Sequence, residues 1–271
     1  MSTVATTGQH TLADSLADPL ATSLVDQYER EGYIIARQVI DQELVRETDE
    51  FVDWLLKKHP DTRPEALHSY LMRDEAFLLR LVSDERLLDL ATHFIGPDIA
   101  LYGAHFICKP PGDGKAVAWH QDGSYWPLEP MKVTTLWLAV TESTPENGCM
   151  RVIPGTQHLD LQGMDAKHRV DGAMLSGMDQ ALADEARAVD MILQPGDVSV
   201  HNPNIIHGSN ANHSNRWRRG LTIRYIPTST RVTQEAGSQF LLRGAAVPGI
   251  NSYLPWPQYV PGEQMPFRAV I

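Results

Sequence analysis

Apolar residues recur along this chain with two different periods, and the change falls near residue 98. In the first part, Leu44, Phe51, Val52, Leu55 and Leu56 follow Asp41 at intervals close to 3.6. That spacing predicts a helix with Asp41 as its N-cap, because a carboxylate accepts from the free N–H groups of a first turn. A second helix is predicted from a cap at Ser83 through Leu87, Leu88, Ala91 and Phe94. Gly96-Pro97 ends it, the glycine turning left-handed and the proline being unable to continue a helix. Ahead of both, Gly32-Tyr33-Ile34-Ile35 reads as a short strand.

Beyond residue 98 the runs are short and rich in β-branched and aromatic residues. They cover 99–109, 132–140, 150–153, 198–201 and 220–226. Turn formers separate them, as in Pro110-Pro111-Gly112-Asp113-Gly114, Pro145-Glu146-Asn147-Gly148, Pro154-Gly155 and Pro195-Gly196-Asp197. Many short strands punctuated in this way predict an antiparallel sandwich or barrel. The polar, poorly patterned stretch 157–190 is expected to be a lid or insert loop. The tail 231–271, with five prolines, is expected to wrap the body. Residues 1–20 read as a flexible lead-in and 21–271 as a single domain, mainly β with flanking helices.

Composition narrows the partners. Hydrophobic residues make up 42% and charged residues 21%, a globular balance. A net charge of −11 repels nucleic acid and anionic membranes, so neither is an expected partner. No apolar run approaches the ~20 residues of a membrane helix. Residues 1–18 carry no basic region followed by an apolar one, and Cys108 and Cys149 cannot build a disulfide framework. A cytoplasmic, reduced location is expected. The sequon Asn212-His213-Ser214 is then an accidental match.

The strongest chemical signal is Trp119-His120-Gln121-Asp122. Residues two apart on a strand share a face, and a local turn would also bring His120 and Asp122 together. A second histidine, His207, stands in Ile205-Ile206-His207-Gly208-Ser209. Two histidines and one carboxylate leave coordination sites open on non-haem Fe(II), whereas zinc more often takes a closed tetrahedral set. Arg218 lies eleven residues after His207, and a hairpin would return its planar fork beside that strand to grip a carboxylate. Arg219 is expected to be a solvated strand residue facing the other way. Arg224, further along the same run, faces either the pocket or a structural ion pair. Pro195-Gly196-Asp197 is expected to be a turn and nothing more, and Cys149 to be core rather than reactive.

From about Leu24 to Ile226 the chain resembles the phytanoyl-CoA dioxygenase family of Fe(II)/2-oxoglutarate oxygenases. The resemblance is carried by Gly96-Pro97-Asp98-Ile99, Lys109-Pro110-Pro111, His120-Gln121-Asp122, Trp137, the run Glu146-Asn147-Gly148-Cys149-Met150-Arg151-Val152-Ile153-Pro154-Gly155, Pro195-Gly196-Asp197 and His207-Gly208-Ser209 with Arg218. It implies a double-stranded β-helix, a cupin-like jelly roll with helices outside. It implies that His120, Asp122 and His207 hold the iron. Arg218 pairs with the distal carboxylate of 2-oxoglutarate, Ser209 supplies a hydroxyl to it, and Trp137 belongs to the cosubstrate pocket. His68 and His105 fall near positions used at the other end of the cosubstrate, or are structural. Tyr125 and Trp126 either line the substrate pocket or fill the barrel mouth, and Met150 and Arg151 stand where substrate is often contacted.

The resemblance further implies a dioxygenase that uses Fe(II), 2-oxoglutarate and O2, releases succinate and CO2, and oxidises a C–H bond of a small-molecule substrate. Hydroxylation in natural-product or specialised metabolism is the default, with desaturation and cyclisation open. Related iron halogenases have Gly or Ala where this chain has Asp122, so halogenation is not expected. Two rivals are a non-enzymatic jelly-roll binding protein and a cupin-type metal isomerase or hydrolase. The first leaves the His, Asp and Arg constellation without purpose, and the second has no need of Arg218.

Overall fold

The structure, a computed structural model, describes residues 19–163, 173, 177–234 and 239–268. Most of the lead-in 1–20 and, within 157–190, residues 164–172 and 174–176 lie outside the described residues. Helix α1 (Pro19–Glu31) leads into β1 (Tyr33–Ala36). Helices α2 (Gln42–Lys58), α3 (Ser69–Met72), α4 (Ala76–Val82) and α5 (Glu85–Ile95) follow, with β2 (Leu67–His68) ahead of α3. The remaining strands are β3 (Ile99–Phe106), β4 (Val117–His120), β5 (Leu128–Glu129), β6 (Thr134–Ala139), β7 (Met150–Val152), β8 (Val189–Asp190), β9 (Val198–His201), β10 (His207–Ser209), β11 (Gly220–Pro227), β12 (Arg231–Val232) and β13 (Phe240–Arg243).

Helix α2 starts where its pattern says. The Asp41 carboxylate accepts from the Glu43 and Leu44 amides at 2.9 Å each. The cap of α5 falls one residue later than expected: Asp84 accepts from the Arg86 amide at 3.1 Å, while Ser83 closes α4. The reason is that α4 extends to Val82 and uses Ser83 as its own C-cap. Gly96 has φ 89° and ψ 179°, so its φ is positive as expected but the chain leaves extended rather than left-handed helical.

Two antiparallel sheets form the body. The larger runs β1-β9-β6-β11-β3-β13, with β2 also on β3, and the smaller runs β4-β10-β7-β8. From β3 to β11 the chain crosses repeatedly between them, the winding of a double-stranded β-helix. Inside, Trp137 and Ala139 of β6 pack against Met150 and Val152 of β7. Outside, Leu136, Leu221, Ile223 and Tyr225 of the larger sheet join Phe51 of α2 and Leu88 of α5 in one core. Each such side chain, fully buried, contributes about 1.5–3 kcal/mol. The larger sheet therefore has an apolar outer face under the helices and an inner face left for other uses.

Two stretches differ from the sequence reading. The 157–190 segment ends in strand rather than loop, since Val189 and Asp190 pair with Val152 and Arg151. The tail does more than wrap, because β13 pairs with β3 at the edge of the larger sheet and β12 pairs with β5. Asn212 of the sequon is fully buried, donating to the carbonyls of Lys109, Pro110 and Arg216. Among the described residues no helix is long and apolar enough to cross a membrane.

Candidate active site

His120 closes β4 and His207 opens β10, and the two residues are directly paired across the smaller sheet. Their rings lie 4.1 Å apart, centroid to centroid. Asp122 reaches the same point through a turn rather than along a strand, because β4 stops at His120 and a 3-10 turn begins at Asp122. Gln121 pins that turn by donating to the Asn204 carbonyl at 2.8 Å, and the Gly123 amide donates to Pro203 at the same distance. Potential ligand atoms of His120, Asp122 and His207 all lie within 4.8 Å of one another.

The hydrogen bonds around these residues fit a metal. Carbonyl oxygens only accept, so Nδ1–H of His120 donates to Ala118 O at 2.8 Å and Nδ1–H of His207 to Ile205 O at 3.0 Å. Each imidazole therefore turns an Nε2 lone pair inward, the tautomer a ligating histidine needs. Burial, the neighbouring His120 and His201 push His207 well below the usual imidazole range despite the opposing pull of Asp122, so it stays neutral. Burial alone would raise the Asp122 carboxyl. The nearby His120, His201 and Arg224 outweigh it and hold the group well below the usual carboxylate range. Two imidazoles and one carboxylate are an open set suited to Fe(II).

A row of residues in register crosses the inner face of the larger sheet behind these ligands: His68, His105, Thr222, Trp137 and Ser199. His68 and His105 stack at 3.7 Å, and His105 Nε2–H donates to Glu65 O at 2.8 Å. Both line the cavity, and burial lowers both, so they remain uncharged. Trp137 lies across Gly220, where an added Cβ would come within 2.0 Å of the indole. That close approach lets the ring reach Arg218, whose guanidinium carbon stands 5.2 Å from the ring centre.

Arg218 does not return beside β10 as a hairpin would have it. It precedes β11 in the opposite sheet and bridges Lys109. Its fork donates to the carbonyls of Gly148 and Ile107 at 3.0 Å each, and its Nε has no partner. Burial pushes Arg218 down to about 10, which leaves it charged at neutral pH. Facing it is Lys109, fully buried, whose Nζ donates to Ser209 Oγ at 2.7 Å and to the Asn210 carbonyl. Burial, reinforced by Arg218, pushes this lysine down to about 6. Neither basic group has a carboxylate partner among the described residues, and the Arg218 charge, facing the cavity, is left for an anion from outside the chain.

The remaining expectations divide. Tyr125, Trp126 and Met150 line the cavity, which measures about 250 Å³. Arg151 does not, a correction that follows from the pleat: its neighbour Met150 points in, so Arg151 points out, to Glu185 and Asp190 at 3.2 and 3.3 Å. Arg219 is not solvated but largely buried, pairing with Asp49 and Asp53 of α2. Cys108 and Cys149 are buried thiols, both pushed up to about 12 by burial. Asp197 of Pro195-Gly196-Asp197 ties its turn to Arg37 at 2.7 Å. Two cavity residues, Arg224 and Thr222, come from β11. His201, also in the cavity, was missed: it is buried with both ring nitrogens unpartnered and lies 3.9 Å from Asp122. Lys109 had no local signal beyond its motif. His201 had only its place six residues before His207.

The comparisons with known proteins agree with this geometry. The model of the phytanoyl-CoA dioxygenase family matches residues 18–220. A protein of Stutzerimonas stutzeri described as "Probable alpha-ketoglutarate-dependent hypophosphite dioxygenase" is 32% identical over 149 residues, 54% of this chain and 51% of that one. The peroxisomal phytanoyl-CoA dioxygenase of Bos taurus is 28% identical over 172 residues, 61% of this chain and 51% of its own. The chain thus spans about half the length of these curated relatives. The apo structure of the non-haem monooxygenase ThoJ superposes with a TM-score of 0.71 over 86% of this chain and 87% of that one, at 24% identity, which establishes a shared fold. With three side chains able to hold a metal gathered at one point and the family model covering most of the sequence, the chain belongs to the phytanoyl-CoA dioxygenase family of Fe(II)- and 2-oxoglutarate-dependent oxygenases.

Proposed function

We propose that this protein is a non-haem Fe(II)- and 2-oxoglutarate-dependent dioxygenase that hydroxylates a C–H bond of a small molecule in specialised metabolism, releasing succinate and CO2. The observation that carries it is the convergence of two imidazole Nε2 atoms and a carboxylate on one point, in a cavity whose far wall offers Arg218 without an acidic partner among the described residues. Bound iron and cosubstrate supply the oxidising chemistry with O2, and the protein selects the C–H bond exposed to it.

In this reading His120, Asp122 and His207 hold the iron. Arg218 takes the distal carboxylate of 2-oxoglutarate, turned toward it by Trp137. Lys109 donates to Ser209 Oγ, which leaves the Ser209 O–H free to donate to the same carboxylate. His68 and His105, neutral and stacked, flank the other end of the cosubstrate. Tyr125, Trp126 and Met150 form the substrate wall. A cavity near the lower end of the usual ligand-site range suits a small substrate, or one end of a larger one. The names of the relatives span hypophosphite and phytanoyl-CoA, so membership alone does not choose a substrate.

The test is conversion of 2-oxoglutarate to succinate by the purified protein with Fe(II) and O2. Wild-type protein is expected to form succinate only when iron is supplied. His120→Ala and His207→Ala are expected to form none while keeping the wild-type circular dichroism spectrum. Absence of iron-dependent succinate from wild-type protein, or full activity in either variant, would overturn the proposal.

A further inference from the structure

We propose that Arg224 is the recognition site for an oxoanionic group, a carboxylate or a phosphorus oxoanion, on the substrate oxidised in this cavity. The inference rests on the active-site reading above and adds a class of substrate to it. Strand alternation puts Arg218, Gly220, Thr222 and Arg224 on one face of the chain, the face toward the smaller sheet. Arg224 is in register with Thr135 and, through it, with His201. It therefore lies one pleat beyond the row of His105, Thr222 and Trp137, on the side away from Arg218. Six residues at the strand rise separate the two arginine Cα atoms by about 20 Å. A five-carbon dicarboxylate held at Arg218 leaves Arg224 for a different ligand.

No carboxylate pairs with Arg224 among the described residues, although it lies near enough to Asp122 to help hold that carboxyl down. Arg219 takes Asp49 and Asp53, and Arg151 takes Glu185 and Asp190. Arg224 makes no ion pair and no hydrogen bond among the described residues, and its Nε is buried without a partner. What holds it is the face of Trp126, 5.2 Å from the guanidinium carbon, and Trp126 is braced edge-on by Tyr102 at 5.8 Å. A guanidinium stacked on an indole keeps its in-plane donors free, and a planar fork suits a two-oxygen acceptor. The groups around it leave its donors unpaired. His68 and His105 are held neutral, and the Asp122 carboxylate belongs to the histidine cluster. With Tyr125 and Trp126 as walls, the subsite fits a molecule with an apolar body and an anionic head.

The experiment is calorimetry under nitrogen on the protein loaded with Fe(II) and saturating 2-oxoglutarate, which occupies Arg218. The probes are phenylacetate, 3-phenylpropionate and phenylphosphonate, with phenylacetamide and 3-phenylpropanamide as uncharged counterparts. Wild-type protein is expected to bind at least one anion about tenfold or more tightly than its amide, the effect of one charged hydrogen-bonded pair. A preference for phosphonate over the carboxylates would identify a phosphorus oxoanion, and the reverse a carboxylate. Arg224→Met, and Arg224→Gln should the first fail to fold, is expected to bring anion and amide to equal affinity while 2-oxoglutarate affinity stays unchanged. Charge discrimination that persists in the folded variant, or the failure of every anion to bind wild-type protein, would overturn the proposal. Loss of 2-oxoglutarate binding in wild-type protein would instead strike the active-site reading itself.

Discussion

Lys109 and Arg218 face each other across an antiparallel bridge in the protein interior, an arrangement that like charges disfavour. The chain relieves it by letting Lys109 lose its proton near pH 6. The ordinary lysine value is 10.5, so between about pH 6 and 10.5 the unfolded chain binds a proton that the native protein does not. Stability from this residue is therefore full at high pH and falls as pH drops through that window. A dianion arriving at Arg218 reverses the balance and draws a proton onto Lys109. At pH 8, 2-oxoglutarate binding is expected to take up close to one proton, read from the dependence of the calorimetric heat on buffer ionisation, and Lys109→Met is expected to abolish the uptake. Equal uptake in both proteins would rule out Lys109 as its source. Arg218→Met is expected to raise the KM for 2-oxoglutarate about thirtyfold or more, the loss of a buried charged partner worth ~2–5 kcal/mol. Arg219→Met, whose partners lie on α2, is expected to change it little; steady-state assays on both variants decide.

At the scale of elements, β11 and β6 are fitted to each other at one close approach. A Cβ at Gly220 would meet the Trp137 indole at 2.0–2.6 Å, so Gly220→Ala must displace either the ring or the strand. It is expected to cost about 1–3 kcal/mol of stability and to weaken 2-oxoglutarate binding with it. Asp84→Ala, removing the α5 cap on the far face, is expected to cost ~1 kcal/mol with no change in cosubstrate affinity. Denaturant melts and binding on both variants separate packing at the site from stability in general. The same elements show what local sequence can reveal. Val198–His201 and Gly220–Pro227 are legible because a β-branched run between turn formers announces a strand. The two-residue strands β8 and β12 are not, since only a partner distant in sequence makes them strands. The hairpin expected between His207 and Arg218 failed for a related reason: local sequence does not show that the intervening turn carries the chain to the other sheet. His120, Asp122 and His207 were readable from their chemistry. Lys109, His201 and the free fork of Arg224 acquire meaning only through burial, a property of the assembled fold.

The whole molecule is an acidic protein, at −11, with Arg218 and Arg224 making no ion pair among the described residues inside a cavity whose walls come from both sheets. That distribution repels anions at long range and rewards those that reach the interior. If Asp122 supplies the carboxylate ligand of the proposed iron site, it occupies the place that a Gly or Ala leaves to halide in the related halogenases, so assays in chloride or bromide are expected to yield oxidised product and no halogenated product. Halogenation by wild-type protein would contradict that reading of Asp122. The proposed function requires one cosubstrate to bridge the histidine–aspartate cluster and Arg218. Calorimetry of 2-oxoglutarate under nitrogen, with and without Fe(II), tests it most directly. One site per chain is expected, with an affinity that falls about tenfold or more when either the metal or the Arg218 guanidinium is removed. An affinity indifferent to Fe(II) in the wild-type protein would contradict it.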